Sequence, residues 1–126
     1  MTKNLFTFAG IFGLVFGLPL IFNPDFVSKT FLVDGTLTAG TAFTLRGYGI
    51  LLSSLGIGLL SARNSAPSTG KRGLLLIIVI GATVGVINSI YMYMQGLTTN
   101  SNWLVVALLA IEAVWGFTIF AKGKTA

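Results

Sequence analysis

Gly73–Gln95 reads GLLLIIVIGATVGVINSIYMYMQ, with no charged residue from end to end. About 20 mostly apolar residues suffice to cross a bilayer as a helix. This stretch is long enough, and Asn88 and Ser89 within it do not break the pattern. Three more segments have the same character: Leu5–Phe22 (LFTFAGIFGLVFGLPLIF), Ala39–Ala62 (AGTAFTLRGYGILLSSLGIGLLSA) and Trp103–Ala121 (WLVVALLAIEAVWGFTIFA). The predicted fold is therefore all-α: an integral membrane four-helix bundle of up-down topology, one domain over residues 1–126. Composition agrees. Hydrophobic residues make up 54% of the 126 and charged residues 9%, with mean hydropathy +0.89, where a soluble domain carries roughly 25% charge.

Lys3 ahead of the first apolar run resembles a secretory signal. Leu20-Ile21-Phe22-Asn23-Pro24 offers no small-x-small cleavage pattern, so this span is expected to be retained. Asn23–Thr38 is the one long connection; Asn23-Pro24 stops the first helix. Its apolar stretch (Phe26, Val27, Phe31, Leu32, Val33) is too short to span, and reads as an ordered loop or as a segment lying along the interface. Arg63–Arg72 and Leu97–Asn102 are polar turns. Lys3, Arg63, Lys71, Arg72, Lys122 and Lys124 fall on one side, Lys29 alone on the other. Positive residues favour the cytoplasm, so both termini are expected there, in a bacterial inner membrane or its equivalent. Trp103, Tyr91, Tyr93 and Phe22 then form an aromatic belt at the opposite boundary, and Pro19 is expected to kink or fray the first helix beside it.

The chain has no cysteine and no histidine. That removes disulfides, thiolate or imidazole metal sites, and triads built on histidine. Asp25, Asp34 and Glu112 are the only acids and lie on separate segments, so no metal site is expected. Met92 and Met94 read as packing, not copper ligands. The net charge of +5 has a topological explanation, and no nucleic-acid motif accompanies it. The expectation is a protein that is not an enzyme and carries no cofactor.

A charge inside a span costs several kcal/mol unless paired or wet. Two such residues stand out, Arg46 and Glu112. Counting at 1.5 Å per residue, Arg46 and Asn88 lie about 10 Å in from the non-cytoplasmic boundary and Glu112 roughly 13 Å. These three are expected to converge as an intramembrane polar cluster, with Thr44, Tyr48, Ser89 and Tyr91 as further lining. One reading is a structural ion pair that fixes helix order. The others are a small pocket that binds an anionic or zwitterionic group at Arg46, or a charge that meets a partner subunit. Pairing implies that Glu112→Gln strands Arg46 and lowers folded yield.

Small residues at four-residue spacing let helices approach closely in lipid. Ala9, Gly13 and Gly17 form such a stripe on the first span, Gly49 and Ser53 on the second, with Ser54 and Gly58 on a neighbouring face. Gly81, Gly85 and Ser89 follow on the third, and Ala110, Ala113 and Gly116, at three-residue spacing, on the fourth.

Arg46-Gly47-Tyr48-Gly49 leading into Leu55-Gly56-Ile57-Gly58-Leu59 and Arg63, with an acid midway along the last span, resembles the small four-helix membrane proteins of the DoxX-like group and neighbouring families. The resemblance covers the layout of most of the chain and rests on few residues. It implies a four-helix bundle and, for some members, association with a larger oxidoreductase or membrane complex. Where those relatives tend to carry a basic residue on the third helix, this chain has Asn88.

Two functions follow as expectations. The first is a non-catalytic accessory or scaffolding subunit of a larger membrane assembly, its partners being the lipid bilayer and other membrane subunits. The alternative is a small transporter or small-molecule-binding protein that uses Arg46, Asn88 and Glu112, as a homodimer. A third reading, a holder of quinone, carotenoid or chlorophyll, has no motif behind it.

Overall fold

A computed structural model describes residues 2–123, so Lys124 lies outside the described residues. Five helices follow one another: α1 (Thr2–Phe22), α2 (Pro24–Phe31), α3 (Ala39–Ala62), α4 (Thr69–Met94) and α5 (Asn102–Ala121). All but α2 are long and apolar enough to cross a membrane. α4 starts four residues before the apolar run, because Ser68 Oγ accepts from the Lys71 amide (3.1 Å) and caps it. α1 runs unbroken through Pro19 to Phe22.

The helix α2 replaces the expected loop or interfacial stretch. Asn23 ends α1 and also starts α2, its Oδ1 accepting from the Phe26 amide at 3.3 Å, with Pro24 in the first turn where no amide hydrogen is needed. Asp25 and Lys29, one turn apart, make an ion pair at 3.0 Å on its exposed side.

The long helices form two antiparallel pairs, α1 with α3 and α4 with α5. α1 and α3 touch backbone to backbone. Gly10 lies against Gly56, and Gly17 against Gly49. A Cβ built at Gly49 would stand 2.6 Å from the Gly17 carbonyl oxygen, one at Gly56 2.7 Å from that of Gly10, and one at Gly13 2.8 Å from that of Leu52. No side chain fits there, so the stripe is read out as contact distance. Ser53 is buried in the same seam. In the second pair Gly85 faces Leu109 of α5, with 3.0 Å left for a Cβ. Gly81 departs from the expected packing role: it is exposed, and a Cβ there meets nothing within 4 Å.

The two pairs are fastened together at each end and little between. At one end Leu5, Phe6, Ala9, Leu59, Leu75, Ile78 and Ile119 make a buried core that all four long helices share. Lys71 locks it. Its side chain is only 7% exposed, and its ammonium donates to the carbonyls of Ser65 (2.8 Å) and Arg63 (3.2 Å) past the end of α3, 5.8 Å from the centre of the Phe6 ring. Lys71 is thus a structural donor, not one more aqueous charge. At the other end α2 reaches from the first pair to the second. Val33 donates to Leu97 (3.1 Å) and Thr99 to Phe31 (2.9 Å), flanking a single antiparallel bridge between Leu32 and Thr98. Thr99 Oγ1 also donates to the Thr30 carbonyl.

Gly56→Val should lower the thermal midpoint in detergent, by the equivalent of about 1–3 kcal/mol for overpacking. Gly47→Val, whose Cβ points into open space, should unfold like wild type. Equal midpoints for the two variants would show that the α1–α3 seam does not carry the fold.

Candidate functional site

Because the pairs meet only at their ends, a space remains between them. It is a cavity of about 860 Å3 lined by all five helices. α1 contributes Phe12, Phe16 and Pro19, α2 contributes Phe26, Val27 and Phe31, and α3 contributes Leu45, Leu52 and Leu55. α4 and α5 add Ile77, Ala82, Val105 and Leu109. Phe12 and Phe16 stack with centroids 4.7 Å apart, and Phe16 tilts against Phe31 at 6.3 Å, so aromatic surface runs from α1 onto α2. α2 thereby covers one end of the chamber and the shared core closes the other. From Met92 to Ile77 along α4 the chamber is roughly 22 Å long, at 1.5 Å per residue.

Its side is open. α3 and α4 are consecutive, yet they do not pack along their lengths. Thr44 and Tyr48 on α3, and Ile77, Gly81 and Asn88 on α4, all line the cavity while remaining exposed to the surroundings. These residues frame a slot between the two helices.

The polar lining is sparse and falls at two levels. Near the α2 end stand Thr44, Asn88, Ser89, Thr98 and Asn102. Asn102 is buried there and donates from Nδ2 to the Ser89 carbonyl at 3.0 Å, tying α5 to α4. Thr98 Oγ1 is buried with no partner. About 15 Å further in, ten residues along α5, lies Glu112. It is 6% exposed, lines the cavity, and its Oε1 has no hydrogen-bond partner. No lysine or arginine is among the residues that line the chamber.

Of the residues the sequence singles out, the structure brings Asn88, Glu112, Thr44, Tyr48 and Ser89 to one cavity. It does not bring Arg46 or Tyr91, which are both exposed and outside the lining. The expected convergence of Arg46 with Glu112 is therefore corrected. Among the described residues the only ion pair is Lys29–Asp25. The reason is rotational. Leu45, Tyr48, Leu52, Leu55 and Leu59 give α3 its cavity face. At about 100° per residue Arg46 points roughly 120° from Leu52, on the flank beyond the α1 seam. A count of depth places Arg46 at the right level and says nothing of its direction. Thr98, Asn102 and the α2 residues were not foreseen as lining. Asn102 directly before the apolar run of α5 is the one signal that could have pointed to the first two.

Among the described residues no three acidic side chains gather as a metal cage. An apolar chamber of this size suits a lipophilic small molecule, since such pockets pair hydrophobic walls with a few convergent polar groups. No protein-family model matches the chain, and no curated protein or solved structure matches it.

An unpartnered polar group in such a site costs about 1–3 kcal/mol. Glu112→Leu should therefore raise the thermal midpoint of the ligand-free protein by that order, while Arg46→Leu should leave it nearly unchanged. A destabilised Glu112→Leu protein in detergent would mean that the carboxyl has a partner after all.

Proposed function

We propose that this chain is a multi-pass membrane protein that holds a lipophilic small molecule in the chamber between its two helix pairs. The observation that carries the reading is the chamber itself: about 860 Å3, walled by apolar and aromatic side chains, with Glu112 unpartnered in its wall. Natural cores are packed to crystal density, so a space of this size between helices is room for an occupant and not a packing irregularity. The slot between α3 and α4 faces where lipid tails would be, so an occupant dissolved in the bilayer reaches the chamber without crossing water. The residues that would hold it are Asn88 and Glu112, with Thr44, Tyr48 and Ser89 beside them. The anion-binding role first expected of Arg46 has no support in its position. Nothing in the lining suggests a nucleophile with a base beside it, so the reading is binding and not catalysis.

A second reading, an accessory subunit of a larger complex or a homodimer, rests on a different face. Arg46, Gly47, Ser54 and Gly58 are exposed along α3, and a Cβ at Gly47 or Gly58 meets nothing within 4 Å. Small residues beside a charge on an open helix face are suited to receive another helix. This reading is compatible with the layout that the DoxX-like resemblance implies.

Orientation follows from the charge count, now with α2 and the 97–99 turn on the non-cytoplasmic side and the Lys71 end in the cytoplasm. Ala66, exposed in the turn between α3 and α4, suits a labelling cysteine. An impermeant thiol reagent on intact cells should modify Ser101→Cys and spare Ala66→Cys; the opposite pattern would invert the topology.

Extraction in mild detergent, followed by sizing and native mass spectrometry, tests the binding reading. A monomer or dimer carrying one lipophilic adduct per chain is expected, and Gly81→Trp, which fills the slot from a position where a Cβ has room, should lose it. Protein that is free of adduct in every preparation, or that arrives only within a large stoichiometric complex, moves the function to the second reading.

A further inference from the structure

The chamber carries information about the chemistry of its occupant. We infer that the occupant is a lipophilic amine, a molecule with an apolar body and a cationic nitrogen that donates to Glu112. This rests on the binding reading above and adds the head group.

The argument is one of missing donors. Glu112 sits about midway along α5, buried to 6% exposure, and Oε1 accepts nothing. No lysine or arginine lines the chamber, and none of the lining donors, Thr44, Tyr48, Asn88 and Thr98 among them, makes a hydrogen bond to Glu112. Arg46, more than a turn inside α3, is exposed and outside the chamber lining. Lys71 is held by the Arg63 and Ser65 carbonyls at the closed end. Arg72 lies over the Phe120 ring, 4.2 Å from its centre. Asn102 donates to the Ser89 carbonyl about 15 Å away from Glu112 along α5. The remaining lining near Glu112 is aliphatic and aromatic. When ionised, a carboxyl in such walls repels an anionic head group and leaves a neutral apolar guest no better placed than lipid. A cationic nitrogen satisfies the acceptor and neutralises the site together, and in a medium of low polarity that pairing is far stronger than in water. The aromatic surface of Phe12, Phe16 and Phe31 suits the apolar body, and any part of the cation near a ring face gains further. The slot beside Asn88 and Gly81 admits such a molecule sideways from the bilayer, so that it need not shed its chain into water.

The test is a titration of the full-length chain in detergent with dodecylamine, dodecanol and dodecanoate, which share one chain and differ in head group. The fraction of one-to-one adduct is read by native mass spectrometry. Wild type should bind dodecylamine best and dodecanoate least. Glu112→Gln, which keeps shape and removes the charge, should weaken dodecylamine at least about tenfold and leave dodecanol within a factor of about two. If the three ligands bind wild type alike, or dodecanoate binds best, the chamber stands as a binding site and the amine inference is overturned. Unchanged dodecylamine binding in Glu112→Gln overturns it too. If none of the three forms an adduct, the binding reading itself has failed and the head-group inference falls with it. The ranking within wild type decides the question even where the variant gives no folded protein.

Discussion

Everything in this molecule depends on how closely α1 and α3 approach. Glycine at positions 10, 13, 17, 49 and 56 brings two backbones to a separation at which no Cβ fits. Dispersion and short carbonyl contacts then act along the whole seam, and these are the forces that bring helices together wherever lipid is the solvent. The cost is that the seam uses up the small faces of both helices. α4 and α5 cannot join it on equal terms. They form their own pair around Gly85 and Asn102, and Phe12, Phe16, Leu52, Leu55 and Leu109 line the space left between the two pairs. The chamber is what two tightly paired hairpin-like units leave when they meet only at their ends.

The two end fastenings differ in kind. At the Lys71 end the join is apolar and shared by four helices, with one ammonium satisfying carbonyls that the end of α3 leaves free. At the α2 end it is a short run of backbone hydrogen bonds between residues 31–33 and 97–99. The first resembles the inside of a domain and resists opening through burial. The second depends on a few polar contacts near the surface, which water can replace at modest cost. Motion that changes the width of the slot is therefore easier at the α2 end.

The four long helices could be read from hydropathy because length and absence of charge suffice for that judgement. The glycine stripe on α1 and its counterpart at Gly49 and Ser53 could be read as well, since close packing in an apolar medium leaves a periodic record. α2 could not: an eight-residue helix is shorter than any hydropathy window, and Asn23-Pro24 marks a stop as readily as a start. The polar site was half visible. Glu112 and Asn88 betray themselves by being polar inside spans, and depth follows from counting. Direction around the axis does not, because it is fixed by which face each helix gives to its neighbour. Arg46 shows this best, being at the right level and on the wrong side. Gly81 shows it too, since the same four-residue spacing that seats Gly85 against Leu109 leaves Gly81 at the slot.

The bridge between Leu32 and Thr98 has a consequence for biosynthesis. Chains emerge from the ribosome N-terminus first, and both helices of the glycine seam are complete once Ala62 has appeared. The Val33 amide and the Phe31 carbonyl then wait for their partners while about thirty-five further residues are made before the 97–99 turn can meet them. Until then the chamber faces of α1 and α3 have no second pair opposite them. The chamber is thus assembled in two instalments, one wall standing complete well before the other arrives to enclose it.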